Sequence, residues 1–234
     1  MIIVRDSIVD RLAELAEIEL AYNLLDPVAL ANPSNALLRK FRGEIVIAYG
    51  HLEGGLKDCF IAFSDKFEEA ARGKSIRQLS GFSQCFYATS LIIEHTPPKF
   101  DTRHDNIKNF YDQLFGDGYS KDEKIFKKFQ SHIIPDAPLL GVGQLMHPSL
   151  AANAEYINIK KALAFYGIDV TALLVNSALI NTLVATRHKI AHAAGMTVFG
   201  EVTSLQVSAI GKSVAEVRKL LASVAASLDA LPVA

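Results

Sequence analysis

The chain has 234 residues, half of them hydrophobic, with 24 Lys and Arg against 25 Asp and Glu and a formal net charge of −1. That length suits one sizeable domain with a well-filled core, and the charge balance excludes a protein that coats nucleic acid through a global basic excess, while leaving room for a local basic site. The two cysteines, Cys59 and Cys85, show neither metal-ligand spacing nor a disulfide framework, and read as buried small side chains in a reducing compartment.

The N-terminal Met-Ile-Ile-Val-Arg-Asp-Ser has no basic stretch followed by an apolar one, so no signal peptide is expected. Ser7 is the expected N-cap of a first helix with Ile8, Leu12, Leu15, Ala16 and Leu20 at helical spacing, ended near Leu24-Leu25-Asp26-Pro27. Asn32-Pro33-Ser34 starts the next element, the longest and clearest of the chain. Leu37, Phe41, Ile45, Ala48, Leu52, Leu56, Cys59 and Phe63 form one stripe, and Leu38, Val46, Tyr49 and Phe60 widen it, as in a central helix packed on more than one side. Within it Gly50, Gly54 and Gly55 each cost about 1 kcal/mol relative to Ala. Gly50 and Gly54 share a face, where either a close backbone approach or a local kink is expected. The charged stretch from Ser64 to Gly81 reads as a solvated face with turns at Gly73 and Gly81.

Phe82 to Glu94 leans towards a helix, and Thr96-Pro97-Pro98 breaks the chain. Ile107, Phe110, Tyr111, Leu114 and Phe115 suggest a short amphipathic helix, stopped by Gly116-Asp117-Gly118. An irregular segment over about 116–150 follows, with a short helix near 122–129. A helix starting near Ala151 carries Ile157, Ile159, Ala162, Leu163 and Phe165 and ends at Gly167. An apolar helical run from Thr171, interrupted by Asn176, Ser177 and Asn181, then leads into Arg187-His188-Lys189-Ile190-Ala191-His192. It is shorter than the ~20 residues of a membrane span, so a cytoplasmic protein without membrane contact is expected. Val198 to Val207 is β-branched enough for a short extended segment. Ser213-Val214-Ala215-Glu216 has the form of a capping box, and Val214, Val217, Leu220, Leu221, Val224, Leu228 and Leu231 make a final stripe. The expectation is an all-α fold, a single helical domain over 1–234.

Two stretches carry candidate chemistry. Arg187 and His192 stand five apart at the end of the apolar helix, followed by Ala193-Ala194-Gly195. Basic groups in a last helical turn before an αL glycine also serve simply to complement the helix dipole. The second stretch is Tyr49-Gly50-His51-Leu52-Glu53-Gly54-Gly55-Leu56-Lys57 on the long early helix. Arg-x4-His at the end of a late apolar helix resembles the HEPN superfamily (higher eukaryotes and prokaryotes nucleotide-binding). The early stretch is similar to the Tyr-x-His-Trp-Glu-Gly-x-x-Lys pattern of its stand-alone, MAE-type members, with Leu52 where the family commonly has Trp. The resemblance covers about residues 5–231 and is specific only around 49–57 and 187–195.

The resemblance implies a HEPN-like helical bundle that dimerises through the motif face, and a metal-independent endoribonuclease with a toxin or antiphage role. Its expected partners are RNA, a second copy of the chain and an antitoxin or other neutralising protein. A HEPN-like module that binds RNA, nucleotide or protein without cutting is the alternative. Cleavage by the 2′-OH needs proton transfer, which suits histidine with its pKa of about 6.5, and a fixed positive fork on the phosphorane, which suits arginine. His192 is accordingly the expected proton-transfer residue and Arg187 the phosphate clamp.

His188, where the family usually has Asn or another polar residue, is either a second phosphate donor or an imidazole at a helix end. Lys189 either adds positive field or is simply solvated. Glu53 either orients a motif residue or pairs with Lys57 along the helix. His51 supports the site or is a packed histidine. His188 and His192 are also four apart, a metal-ligand spacing, but Lys189 follows His188 where a zincin helix has Glu. No metal or cofactor is expected. His95, His104, His132 and His147 have no partner at a recognisable spacing.

Overall fold

A computed structural model describes residues 6–31, 34–74, 78–80, 83, 154–166, 168–192 and 204–233. All regular structure among them is helical: α1 (Asp6–Asn23), α2 (Pro27–Ala31), α3 (Asn35–Ala71), α4 (Tyr156–Phe165), a 3₁₀ turn (Val170–Leu173), α5 (Ser177–His192) and α6 (Ser204–Ala230). The all-α expectation holds for these residues. The expected elements at 107–115 and 122–129, the irregular segment and the Gly195 cap lie outside them, and of the expected helix at 82–94 only Ser83 is described.

The first helix includes Ser7 rather than being capped by it, and buries Ile8, Leu15 and Tyr22 at seven-residue steps. Leu20, expected on that stripe, is 58% exposed. The helix stops where the N–H groups of Leu24 and Leu25 reach back to the carbonyls of Leu20 and Tyr22. Asp26 then accepts from the Val28 N–H at 2.9 Å, and Pro27 opens the short α2.

Helix α3 spans 37 residues, about 55 Å at 1.5 Å per residue. Ser34 caps it by accepting from the Leu37 N–H at 3.2 Å. Its expected stripe is buried from Phe41 to Phe63, and Leu37 packs partly against the core. The helix runs unbroken through the three glycines. It also continues past Ser64, where the sequence suggested a solvated face: Phe67 and Ala71 are buried, and Lys66 donates at 2.8 Å to the Asp229 carbonyl of α6. Asp65 and Glu69 are exposed on one side of the helix while Phe67 and Ala71 are buried on the other. The expected turn at Gly73 is present, with φ at +74°.

Helix α6 is the hub, packed against α1, α3 and α5, and α3 in turn contacts α1 and α5. Its stripe from Val214 to Leu228 is buried as expected. The capping box is not one. Ser213 lies buried inside a helix that begins at Ser204, so the tail of the expected extended segment is helical as well. Glu216 instead accepts the Asn176 N–H at 2.7 Å, and Lys219 donates to the Leu174 carbonyl at 2.6 Å. Together these two side chains hold the segment that leads into α5. Arg218 joins α6 to α1 through Glu19 at 2.8 Å.

Close approach between helices uses glycine at one further point. A Cβ on Gly211 would stand 2.9 Å from Cβ of Tyr22, whose ring stacks on Phe41 at 4.8 Å. Burial, and then the neighbouring Glu44 carboxylate, push the Tyr22 phenol far above its ordinary pKa. Tyr166, just after α4, stacks on Phe60 at 4.9 Å and meets Phe63 edge-on at 5.3 Å, anchoring the end of α4 to α3. No helix among the described residues is long and apolar enough to cross a membrane.

Candidate active site

The helix that carries Arg187 and His192 starts later than the apolar run suggested. Asp169 caps the 3₁₀ turn, accepting from the Thr171 N–H at 2.9 Å and its hydroxyl at 2.7 Å. These bonds hold the Asp169 carboxyl below its usual pKa. Leu174 then takes the left-handed conformation, with φ at 53°, and turns the chain. Asn176 is the true start signal: its side-chain oxygen accepts from the N–H groups of Ala178 and Leu179 at 3.1 and 3.3 Å. Nor is α5 buried all round. Ile180, Leu183, Val184 and Thr186 face the core, while Ala178, Asn181, Ala185 and Lys189 are exposed. Asn181 reaches over to accept the Tyr156 N–H at 3.0 Å, so it fastens the start of α4 to α5.

The end of α5 meets the middle of α3. The Arg187 guanidinium carbon lies 4.6 Å from the centre of the Tyr49 ring, over its face. Arg187 is partly buried, and its N–H groups meet no acceptor among the described residues. Tyr49 is 4% exposed, and its hydroxyl accepts the N–H of the buried Ala154 at 3.3 Å. Burial raises the Tyr49 pKa. The Ala154 bond and the Arg187 charge oppose the rise, while the Glu53 carboxylate, one turn along α3, adds to it by charge and as an acceptor. Arg187, Tyr49 and Glu53 therefore form one cluster. His188 is partly buried, Lys189 is exposed, and His192 is the last residue of α5. Arg187 and His192 stand five positions apart, about 7.5 Å of rise and 140° of rotation in an ideal helix.

His51 is not part of that cluster. Two positions beyond Tyr49 means about 200° around the helix, and the ring faces α1. Its Nδ1 is 3.5 Å from Nη1 of Arg11, and its Nε2 is 2.8 Å from Oε2 of Glu14, at an angle short of hydrogen-bond geometry. Arg11 also donates from Nε to Asp58 at 3.0 Å.

The glycines follow this division. A Cβ on Gly54 would meet the Arg11 guanidinium at 2.9 Å, and one on Gly55 would meet both Leu221 methyls at 2.9 Å, whereas Gly50 has nothing within 4 Å among the described residues. The close approach expected at Gly50 and Gly54 is therefore made at Gly54 and Gly55, by side chains of α1 and α6. Cys59, on the same buried side, has its thiol pushed up to about 12 by burial and by Asp58.

In the sequence Tyr49 is hidden, because it falls on the apolar stripe of the long helix. The available signal was its spacing: Tyr49 and Glu53 are four apart and share a helix face, and His51 does not. Among the described residues no three His, Cys, Asp or Glu side chains gather as a metal site. A family model described as RiboL-PSP-HEPN matches residues 6–231. No curated protein and no solved structure matches the chain.

Proposed function

Because the chain belongs to the RiboL-PSP-HEPN family, and so to the HEPN superfamily, we propose that it is a metal-independent endoribonuclease acting as a homodimer. The observation that carries this reading is Arg187: a partly buried guanidinium, stacked on Tyr49, with N–H donors unengaged by any described acceptor and His192 five residues further along the same helix. In the proposed reaction His192 takes the proton from the RNA 2′-OH. The 2′-oxygen attacks the adjacent phosphorus, and the bond to the 5′-oxygen breaks. That oxygen leaves with a proton, and the products are a 2′,3′-cyclic phosphate and a 5′-hydroxyl.

Arg187 neutralises the charge that gathers on the phosphorane oxygens. A second copy of the chain would bring a second His192, so that one imidazole removes a proton while the other returns one. Lys189 and His188 add positive or donor groups near the phosphate path, and Glu53 orients the cluster through Tyr49. A toxin or antiphage role, held in check by a neutralising protein, is part of the same proposal.

The test is cleavage of an RNA panel by the purified protein in EDTA. His192→Ala is expected to lose about 10²–10⁴-fold in rate and Arg187→Ala about 10²–10³-fold, with folding checked by circular dichroism. Equal cleavage by all three proteins would remove the catalytic assignment. If none cuts, but the wild type binds RNA and Arg187→Ala does not, the site is a non-catalytic RNA-binding module.

A further inference from the structure

An arginine that clamps a phosphate gains little if its side chain wanders. The arginine side chain has much rotamer freedom to lose, and a clamp aids a transition state most when it is in place beforehand. Among the described residues neither a hydrogen bond nor an ion pair holds Arg187, and the contact that does engage it is the face of Tyr49 at 4.6 Å. The ring is itself immobilised, nearly fully buried and tied by its hydroxyl to the Ala154 N–H at 3.3 Å. Ala154 is 0% exposed and directly precedes the entry to α4, whose first N–H is held by Asn181 of α5. The stacking platform on α3 is thus tied, through Ala154 and the start of α4, to the helix α5 that carries the arginine.

Resting on the clamp role proposed for Arg187, we infer that Tyr49 is its positioning residue: the ring occupies one face of the guanidinium, sets its plane, and leaves the N–H edge to meet an RNA phosphate. Stacking is the one form of support that costs the arginine none of its donors. A carboxylate in the same place would hold the head group equally well and consume the fork that phosphate needs.

The experiment is a double-mutant cycle on the full-length chain, using cleavage of one labelled RNA and binding of its 2′-O-methyl counterpart. Tyr49→Leu is expected to lower kcat/KM and affinity about 2–30-fold in the wild-type background, the range a cation–π contact supplies. It is expected to cost nothing further once Arg187→Ala is present. Tyr49→Phe keeps the ring but not the Ala154 bond, and is expected to lose less than Tyr49→Leu. Equal loss in both backgrounds would make Tyr49 a scaffold residue and overturn the inference, as would no loss at all. If Arg187→Ala binds and cuts like the wild type, the clamp role itself fails, and that is visible before any Tyr49 variant is made. Should Tyr49→Leu not fold, the wild-type proton spectrum decides. Ring current from Tyr49 shifts the Arg187 side-chain protons upfield of those of the other arginines, and their absence from that region overturns the stack.

Discussion

Helix α3 presents two unlike faces within seven residues. On one, His51, Gly54 and Gly55 meet Arg11, Glu14 and Leu221, and Arg11 pairs with Asp58. On the other, the Tyr49 ring meets Arg187, whose donors have no acceptor among the described residues, and Glu53 lies one turn along from Tyr49. One stretch of sequence therefore does two jobs. Groups that satisfy each other inside the fold stabilise it, and a group held in place but left unsatisfied is available to a ligand.

The largest effect expected on that contrast comes from exchanging its two sides. His51→Ala removes a buried ring from between Arg11 and Glu14 and leaves both without it, at a cost of about 2 kcal/mol in stability. Cleavage by the protein that remains folded should stay within about threefold of the wild type, because His51 points away from Arg187. Arg187→Ala should behave oppositely, losing no more than about 1 kcal/mol of stability with its stack and nearly all activity. Chemical denaturation beside RNA cleavage reads both. A folded His51→Ala protein that no longer cuts would place His51 in the site and dissolve the distinction.

Alanine at the three glycines sharpens it further. Each substitution gains about 1 kcal/mol from helix propensity. At Gly50 nothing described opposes that gain, so Gly50→Ala is expected to stabilise by about this amount. At Gly54 the new methyl meets the far end of a flexible Arg11, and gain and loss nearly cancel. At Gly55 it strikes two methyls of the fully buried Leu221, and overpacking of about 2–3 kcal/mol leaves a net loss of about 1–2. Thermal melts should rank Gly50→Ala above the wild type and Gly55→Ala below it. Equal melts for these two variants would mean that Gly55 has no packing role.

How much of this was legible beforehand follows from the range over which each signal acts. The stripe of α3 and the stripe of α6 were readable because burial repeats every turn and needs no knowledge of the partner. The superfamily was readable from Arg187, His192 and the stretch around His51. The true start of α5 was not, because its turn is made by Leu174, a residue that sterics disfavour there, and is held by Glu216 and Lys219 some forty residues away. The same Glu216 made a false capping box, since Ser-x-x-Glu has the same spacing whether the glutamate reaches its own helix or another. Tyr49 was hidden for a related reason: an aromatic at a core position looks the same in sequence whether its face is covered by leucine or by arginine.

Leu174 offers the smallest test, and it asks whether α5 is launched under strain. Its φ of 53° is one that glycine adopts freely and a side chain with Cβ does not, and at 79% exposure the leucine has little packing to lose. Leu174→Gly should relieve about 1–2 kcal/mol of backbone strain, partly offset by the greater freedom of glycine in the unfolded chain, for a net gain of about 0.5–1 kcal/mol. Cleavage should not change, because the Lys219 bond is made to the carbonyl of residue 174 and survives the substitution. A Leu174→Gly protein that is more stable yet cuts RNA more slowly would show that the turn's stiffness sets the direction in which α5 carries Arg187 and His192. Unchanged activity would leave the Tyr49 stack as the element that fixes Arg187.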